Sequence, residues 1–158
     1  IIIKALNNFK GLPHRQEIIF SNKYLTCVND SKATSFDASQ QSLLSYNKIY
    51  WIVGGLPKLQ DYFNLSSVSK KIVKAYIIGK NIPFFSKQLK GKIPYLESYN
   101  LKNAVKNVCN DIKKDKNNKC TILFSPAAAS YDQFKNFEDR GNQFKALIKR
   151  KAKTFYYA

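Results

Sequence analysis

Short apolar runs alternate with amphipathic stretches along the chain, and this alternation predicts its secondary structure. Six of the runs are rich in β-branched or aromatic residues and are bounded by Gly, Asn, Asp or Pro, which is typical of buried strands. The predicted strands cover residues 18–20, 24–28, 49–53, 75–78, 94–96 and 121–124.

Three amphipathic stretches predict helices at residues 36–46, 101–114 and 133–151. Ser35 is a suitable N-cap for the first helix, and Asp37 lies in its first turn. In the other two stretches, apolar residues recur three and four positions apart, which gives each helix one apolar face. We interpret the opening stretch, from Ile1 to Phe9, as the end of a helix or a linker shared with an upstream domain.

Strands that alternate with helices of this length predict an α/β fold. The sheet should be mostly parallel, because parallel neighbours need a crossover connection and the predicted helices supply it. We expect about six strands flanked by helices, with one strand antiparallel. In such sheets, ligands bind outside the carboxyl ends of the strands.

Three polar, turn-forming loops follow predicted strands and should therefore meet at one edge of the sheet. They are Asn29-Asp30-Ser31-Lys32, Gly54-Gly55 and Ser125-Pro126. Their convergence predicts a single ligand site at that edge.

Length and composition set limits on what the chain can be. With 158 residues, of which 44% are hydrophobic, it can form one domain with a sizeable core. No apolar stretch approaches the length of a membrane-spanning helix. The chain contains no Met and starts at Ile1, so we expect a piece of a longer protein.

The formal net charge of +17 by itself favours a nucleic acid or an anionic membrane as partner. However, only 3 of the 27 basic residues are Arg, whose planar fork makes paired hydrogen bonds to phosphate and guanine. Ile, Lys, Asn, Tyr and Phe, whose codons are AT-rich, account for 75 of the 158 residues. Genome composition therefore explains much of the Lys excess. We interpret the basic stretch 145–153 as a solvated helix end.

The three cysteines, Cys27, Cys109 and Cys120, are an odd number without CxxC spacing. Free thiols in a reducing compartment explain them best. A zinc site built from them and His14, the only histidine, matches no zinc-binding spacing.

Two of the loops carry candidate binding residues. Asp30 could accept ribose hydroxyls, and Lys32 and Thr34 could donate to an anion near the start of a helix. Local physics alone favours the alternative, an Asx-turn before a capped helix. Lys58 follows Gly54-Gly55, whose backbone can approach a ligand closely, but the loop lacks the Walker A spacing. An exposed Lys on an ordinary turn is the alternative.

The remaining candidates lie near the two ends of the chain. Ser130 offers a hydroxyl before a helix N-terminus, which suits a carboxylate, although a tightly packed turn explains it equally well. No G-x-S-x-G surrounds it, which argues against a nucleophile. Arg15 could bind a phosphate, or could form a surface ion pair with Glu17.

Two possible carboxylate pairs occur on predicted helices among Lys or Asn residues. They are Asp111 with Asp115 and Glu138 with Asp139. We interpret both pairs as solvated helix charges rather than a general acid and base.

Taken together and in this order, four motifs resemble the C-terminal domain of the Mur ligases, and most nearly that of the ligases that add D-glutamate. The motifs are Phe9-x-Gly11-Leu12-Pro13-His14-Arg15-x-Glu17, Asn29-Asp30-Ser31-Lys32-Ala33-Thr34, Gly54-Gly55-x-x-Lys58 and Ser125-Pro126-Ala127-x-Ala129-Ser130-x-Asp132-x-Phe134-x-x-Phe137-x-x-Arg140-Gly141. The resemblance covers nearly the whole chain. One departure is Leu56-Pro57, where the family often has a polar, Gly-containing pair.

The resemblance implies a dinucleotide-fold-like (Rossmann-like) sheet in a three-domain, cytoplasmic, monomeric enzyme of peptidoglycan precursor synthesis. It implies that ATP and magnesium are bound mainly by a central domain outside this chain, and that residues 1–150 form the amino-acid-accepting domain, followed by a basic and aromatic tail at 151–158. It implies that D-glutamate is joined to UDP-N-acetylmuramoyl-L-alanine through an acyl phosphate. We therefore expect the isolated chain to be inactive and to bind ligands weakly.

The resemblance also assigns residues. The set that would hold D-glutamate is Lys32, Thr34, Lys58, Ser130 and Phe137, the last through its backbone. The set that would face the nucleotide is His14, Arg15 and Asp30, with Asp30 at the ribose and Arg15 at a phosphate. No residue of the chain is assigned a catalytic role, and none is expected to bind metal.

Two alternatives stay open. A related Mur or folylpolyglutamate-type ligase domain would use another amino acid, such as L-glutamate. A basic nucleic-acid-binding module would ignore D-glutamate and would bind with a steep salt dependence.

Overall fold

A computed structural model describes residues 11–115 and 119–155 of the chain, and side chains as far as residue 151. The interpretation of residues 1–9 lies outside the described residues. Six strands form one sheet: β1 Glu17–Ser21, β2 Leu25–Asn29, β3 Ile49–Gly54, β4 Ile72–Ile78, β5 Tyr95–Tyr99 and β6 Cys120–Phe124. Their order across the sheet is β1-β2-β6-β3-β4-β5. β1 is antiparallel to β2, and the other pairs are parallel. The predicted fold class is confirmed.

Four helices flank the sheet: α1 Phe36–Ser45, α2 Ile82–Leu89, α3 Leu101–Lys114 and α4 Phe137–Phe155. α1 begins as predicted, with Ser35 as N-cap accepting from the Ala38 N–H at 3.4 Å. α3 matches its predicted bounds. α4 begins four residues later than predicted because the N–H groups of Gln133 and Phe134 instead close a turn on the Ser130 carbonyl.

The sequence pattern did not predict α2, which contains Pro83. Pro83 lies in the first turn of the helix, where a missing backbone N–H breaks no helical hydrogen bond. The apolar residues Ile82, Phe85 and Leu89 then recur at helical spacing and are buried.

Two apolar clusters form the core, one on each face of the sheet. α1 and α2 contribute to the first cluster, in which the buried Trp51 packs near the stacked rings of Phe36 and Phe63. α3 and α4 contribute to the second, in which Phe124 packs on Phe144 with ring centroids 4.7 Å apart. All three cysteines are buried free thiols in the second cluster. Among the described residues, no helix is long and apolar enough to cross a membrane.

The interpretation of Asp111 and Asp115 as solvated charges is incomplete, because both side chains stay partly exposed but each also binds groups on the sheet side. Asp111 Oδ2 accepts from Lys74 Nζ and from the Tyr76 hydroxyl, both at 2.8 Å. One turn further along α3, Asp115 accepts from Lys48 Nζ and the Tyr50 hydroxyl, both at 2.9 Å. Lys74 and Tyr76 lie two positions apart on β4 and therefore point to the same face. Tyr50 lies on β3, and Lys48 directly precedes that strand. These contacts attach α3 to β3 and β4.

Replacing Asp111 with Asn should lower the free energy of unfolding by about 1 kcal/mol, because it removes a charge-assisted contact with Lys74. Urea denaturation measures this change. Lys114→Gln is the matched control, since Lys114 is exposed and lies 3.7 Å from the same carboxylate. Equal effects of the two changes would contradict the account.

Candidate functional site

The three polar loops meet at the carboxyl edge of the sheet, as predicted. The Asp30 N–H donates to the Phe124 carbonyl at 2.8 Å, and the Gly54 N–H donates to the Pro126 carbonyl at 2.9 Å. Leu56 and Ala129 exchange two backbone hydrogen bonds of 2.9 Å. The loops after β2, β6 and β3 are therefore joined backbone to backbone.

Gly55 is required where two of these loops cross. Its φ is +139°, and a Cβ there would collide with the Ala129 carbonyl. Ala129 precedes Ser130, and Leu56 lies two residues before Lys58. The crossing therefore brings the chain near Lys58 alongside the chain near Ser130. Leu56-Pro57, the departure from the family pattern, does not prevent this contact.

The fully buried Arg140 of α4 links two of the loops to this helix. Its Nε donates to Ser31 Oγ at 3.0 Å, its Nη2 to the Ser31 carbonyl at 2.8 Å and its Nη1 to the Ala128 carbonyl at 2.9 Å. Burial lowers the pKa of Arg140 to about 10, so the guanidinium stays charged at neutral pH. Among the described residues, none supplies a carboxylate in contact with this cation.

Lys32 and Phe137, two of the residues expected to hold D-glutamate, are in contact. The Lys32 ammonium lies 3.8 Å from the centroid of the Phe137 ring. The neighbouring Ser31 donates through Oγ to the Phe137 carbonyl at 2.8 Å. The loop after β2 is thus attached to the first residue of α4, more than 100 positions away in sequence.

Asp30 is almost fully buried and serves as a hydrogen-bond acceptor for three segments. Its Oδ2 accepts from Ser42 at 2.5 Å and from Ser125 at 2.8 Å, and its Oδ1 accepts from the Gln16 N–H at 3.2 Å. Burial raises the pKa of Asp30, partly offset by these hydrogen bonds. Because each carboxylate oxygen has two lone pairs, Oδ1 retains room for one further donor.

His14 is buried, and its ring is held by Asn29. Asn29 Oδ1 accepts from the Ser31 N–H and its Nδ2 donates to Glu17, which fixes the orientation of the amide. The same Nδ2 lies 2.9 Å from His14 Nδ1, so this ring nitrogen is the acceptor and the proton is on Nε2. Burial lowers the pKa of His14, in agreement with a neutral ring. A Cβ at Gly141 would collide with the imidazole.

The suggested ion pair between Arg15 and Glu17 does not form. Glu17 instead binds Lys145 of α4 at 2.7 Å and accepts from the His14 N–H at 3.0 Å. Burial raises the pKa of Glu17, but the hydrogen bonds from Lys145 and from the His14 N–H, together with the nearby positive charge of Lys145, outweigh it, and the pKa is lowered overall. Arg15 is left exposed at the rim of the site.

A pocket of about 340 Å³ opens at this edge. It is lined by Arg15, Gln16, Asp30, Lys32, Ala33 and Ala38. The pocket therefore brings together two residues expected to face the nucleotide and one expected to bind the amino acid. Thr34 is half-buried two residues beyond Lys32, Ser130 is buried, and Lys58 is exposed on its loop.

Sequence reasoning missed the residues that hold the site together. Arg140, Phe144 and Ile148 recur every four positions on α4 and are all buried. The signal in the sequence that could have identified Arg140 was therefore a charged residue within an apolar stripe. Ser39 and Ser42 lie on the buried face of α1 and contact Ser125 and Asp30. Their signal is weaker, because serine is common on either face of a helix.

Comparison with known proteins identifies relatives with one shared name. The chain is 43% identical over 143 residues to the UDP-N-acetylmuramoylalanine--D-glutamate ligase of Rhizobium meliloti (strain 1021), covering 90% of this chain and 31% of the relative. Ligases of the same name from Rhodospirillum rubrum and from Wolbachia sp. subsp. Brugia malayi are 40% and 39% identical, each covering 98% of this chain. The chain spans about a third of the length of these relatives. The resemblance stated from the motifs is confirmed.

A solved structure shares the fold. The crystal structure of MurF from Acinetobacter baumannii matches 94% of this chain and 33% of its own with a TM-score of 0.63 and 14% sequence identity. No family model matches the chain.

Arg140→Met should lower the free energy of unfolding by about 3 kcal/mol, because the Ser31 and Ala128 carbonyls would lose their buried donor. Urea denaturation tests this. Arg150→Gln, on the exposed face of the same helix, should change it by less than about 0.5 kcal/mol. If Arg140→Met lowered the free energy of unfolding as little as Arg150→Gln does, the guanidinium would not be what holds the loops together.

The only histidine gives a clean spectroscopic test. We expect the His14 ring to titrate below its ordinary value of 6.5 and to carry its proton on Nε2 at neutral pH. Nitrogen-15 NMR of the imidazole reports both properties. Because the pKa is lowered in the folded state, its contribution to stability is present above pH 6.5 and is lost as the pH falls below that value. A midpoint above 6.5 would contradict the assigned hydrogen bond from Asn29.

Proposed function

We propose that this chain is the amino-acid-accepting domain of a Mur ligase that joins D-glutamate to UDP-N-acetylmuramoyl-L-alanine. The observation that carries the proposal is the contact between the Asn29–Thr34 and Ser125–Gly141 motifs, in which Lys32 lies over Phe137 and Ser31 binds the Phe137 carbonyl. These two motifs are the most discriminating ones in the sequence. The shared name of the relatives supports the same substrate.

D-glutamate brings two carboxylates and an attacking amine. In this proposal the two ammonium groups of Lys32 and Lys58 and the hydroxyls of Thr34 and Ser130 receive the carboxylates, with the backbone of Phe137 completing the site. A charge-assisted contact to each carboxylate fixes the direction in which the amine points. The Phe137 carbonyl already accepts from Ser31, so its backbone N–H is the group proposed to face the ligand.

The pocket bounded by Arg15 and Asp30 is proposed to receive part of the nucleotide. The exposed Arg15 is available for a phosphate, and the remaining acceptor position of Asp30 Oδ1 suits a ribose hydroxyl. His14 is proposed to contribute to the nucleotide site from the buried side of this edge of the sheet, because its ring is buried and its Nδ1 is engaged by Asn29.

The reaction would proceed through an acyl phosphate of the substrate carboxylate. The amine of D-glutamate would attack it, and phosphate would leave from a tetrahedral intermediate. This chain's contribution is to bind and orient the amine and to place positive charge near the developing negative charge. ATP and magnesium are proposed to be held mainly by the part of the ligase outside this chain. Among residues 11–115 and 119–155, no group of three His, Cys, Asp or Glu side chains could hold a metal ion.

The proposed arrangement places the domain at residues 1–150 and the basic, aromatic tail at 151–158, although α4 continues across that boundary to Phe155. We propose a monomeric, cytoplasmic ligase of peptidoglycan precursor synthesis, and hence a part in cell-wall growth and division. The isolated chain would lack turnover, because half of the closed site would be missing.

The test uses the full-length protein that contains this chain. Phosphate release is followed with ATP, magnesium and UDP-N-acetylmuramoyl-L-alanine while D-glutamate, L-glutamate or L-lysine is offered. We expect release only with D-glutamate. Release only with L-glutamate or L-lysine would support membership of the ligase family and would reject D-glutamate as the amino-acid substrate. No release from folded protein would reject the ligase and favour the basic nucleic-acid module, to be tested by salt titration.

Lys58→Ala and Ser130→Ala in the full-length enzyme should each raise KM for D-glutamate by about tenfold or more, because each would remove a contact to a carboxylate. KM for ATP should change little. Lys87→Ala, an exposed change on α2, is the control for lost positive charge. Equal effects of Lys58→Ala and Lys87→Ala would indicate a general electrostatic effect and would reject the assignment of Lys58. An unchanged KM for D-glutamate in Ser130→Ala would reject the assignment of Ser130.

A further inference from the structure

A second cleft lies between α3 and α4, apart from the pocket at Arg15 and Asp30. Its volume is about 660 Å³, within the range of small-molecule sites in proteins. Leu101, Phe134, Ala146 and Leu147 supply its apolar surface, and Lys102 and Arg150 supply its charge.

The charged residues that line this cleft are all basic. None of its lining residues is acidic, and among the described residues neither Lys102 nor Arg150 forms an ion pair with a carboxylate. The Lys residues that do form pairs, such as Lys74 and Lys145, lie elsewhere. Two uncompensated cations above an apolar surface match a ligand that has an anionic head and an apolar body.

The three uncharged polar side chains beside this surface are held by neighbouring groups. Asn100 Oδ1 accepts from the Asn103 N–H at 2.9 Å. Gln133 Nε2 donates to the Tyr99 carbonyl at 2.9 Å, and Gln143 Nε2 donates to Asp139 at 3.1 Å. The walls of the cleft are therefore attached to β5 and to the first turn of α4.

We propose that the α3–α4 cleft binds a small organic anion, with a carboxylate or phosphate between Lys102 and Arg150 and an apolar group against Phe134 and Leu147. Charge complementarity and the apolar surface together favour this occupant over a simple inorganic ion, which would leave the apolar surface exposed to water.

The cleft has a structural route to the candidate site. Phe134 and Gln133 both donate their backbone N–H groups to the Ser130 carbonyl, at 2.9 and 3.2 Å. A ligand that contacts Phe134 therefore restrains the turn between Ser130 and Phe137. Resting on the proposed function, occupancy of the cleft should change KM for D-glutamate in the full-length enzyme.

Binding is tested on the folded chain by amide NMR with three probes: 2-naphthoate, 1-naphthyl phosphate and the uncharged 2-naphthamide. We expect saturable shifts centred on Phe134 and Leu147 for the two anions and binding at least about tenfold weaker for the amide. Comparing the two anions identifies the preferred head group. Equal binding of the uncharged amide, or the absence of saturable shifts at these residues, would overturn the proposal.

Variants locate the site. Lys102→Gln and Arg150→Gln should each weaken binding of the anionic probes by about fivefold, because each removes one of two cations. Lys113→Gln and Lys149→Gln, exposed on the same two helices but outside the cleft, should have little effect. Equal losses in all four variants would show nonspecific attraction to a +17 chain and would overturn the proposal.

The regulatory consequence is measured separately, as the effect of 2-naphthoate on KM for D-glutamate. If naphthoate binds but the enzyme does not use D-glutamate, the proposed function fails while the cleft stands. If D-glutamate is used but no probe binds, the cleft proposal fails while the proposed function stands.

Discussion

The arrangement of the carboxyl edge depends on one buried cation. Arg140 donates to the backbone and hydroxyl of Ser31 and to the Ala128 carbonyl, and so fixes α4 against the loops after β2 and β6. Burying a guanidinium without a contacting carboxylate is unfavourable unless its N–H groups are well satisfied. Here the carbonyl and hydroxyl oxygens satisfy them, and the positive charge is retained close to where a dianionic amino acid is proposed to bind.

Around that cation, most polar groups at the edge serve to join one segment to another. Asp30 collects donors from α1, from the loop after β6 and from the chain before β1. His14, Asn29 and Glu17 connect the chain before β1 to α4 through Lys145. Of the candidate binding residues, Arg15 and Lys58 are the exposed ones. A hydrogen-bonded base with exposed cations suits a half-site that is completed by another part of the protein.

The hydrophobic pattern predicted all six strands. It is clearest in β2, β3 and β6, because these fully buried strands are continuous apolar runs whose ends are set by turn residues. It missed α2, since a proline in the first turn looks like a helix breaker in sequence. It also did not predict the partners of Asp111 and Asp115. Lys74 lies on β4 and Lys48 directly precedes β3, both far away in sequence, and the pattern on a single helix contains no information about them. The contacts of Arg140 were not predictable for the same reason, because they also join residues far apart in sequence. The convergence of the loops was predictable, because it follows from the topology of a parallel sheet.

The most direct test is a structure of the full-length protein that contains this chain, determined with D-glutamate bound. We expect the two carboxylates of D-glutamate to lie within about 3.2 Å of Lys32 Nζ, Lys58 Nζ or Ser130 Oγ, with the amine pointing away from this domain. We also expect Arg140 to keep its contacts with Ser31 and Ala128. D-glutamate bound without contact to any of these three residues would contradict the central claim.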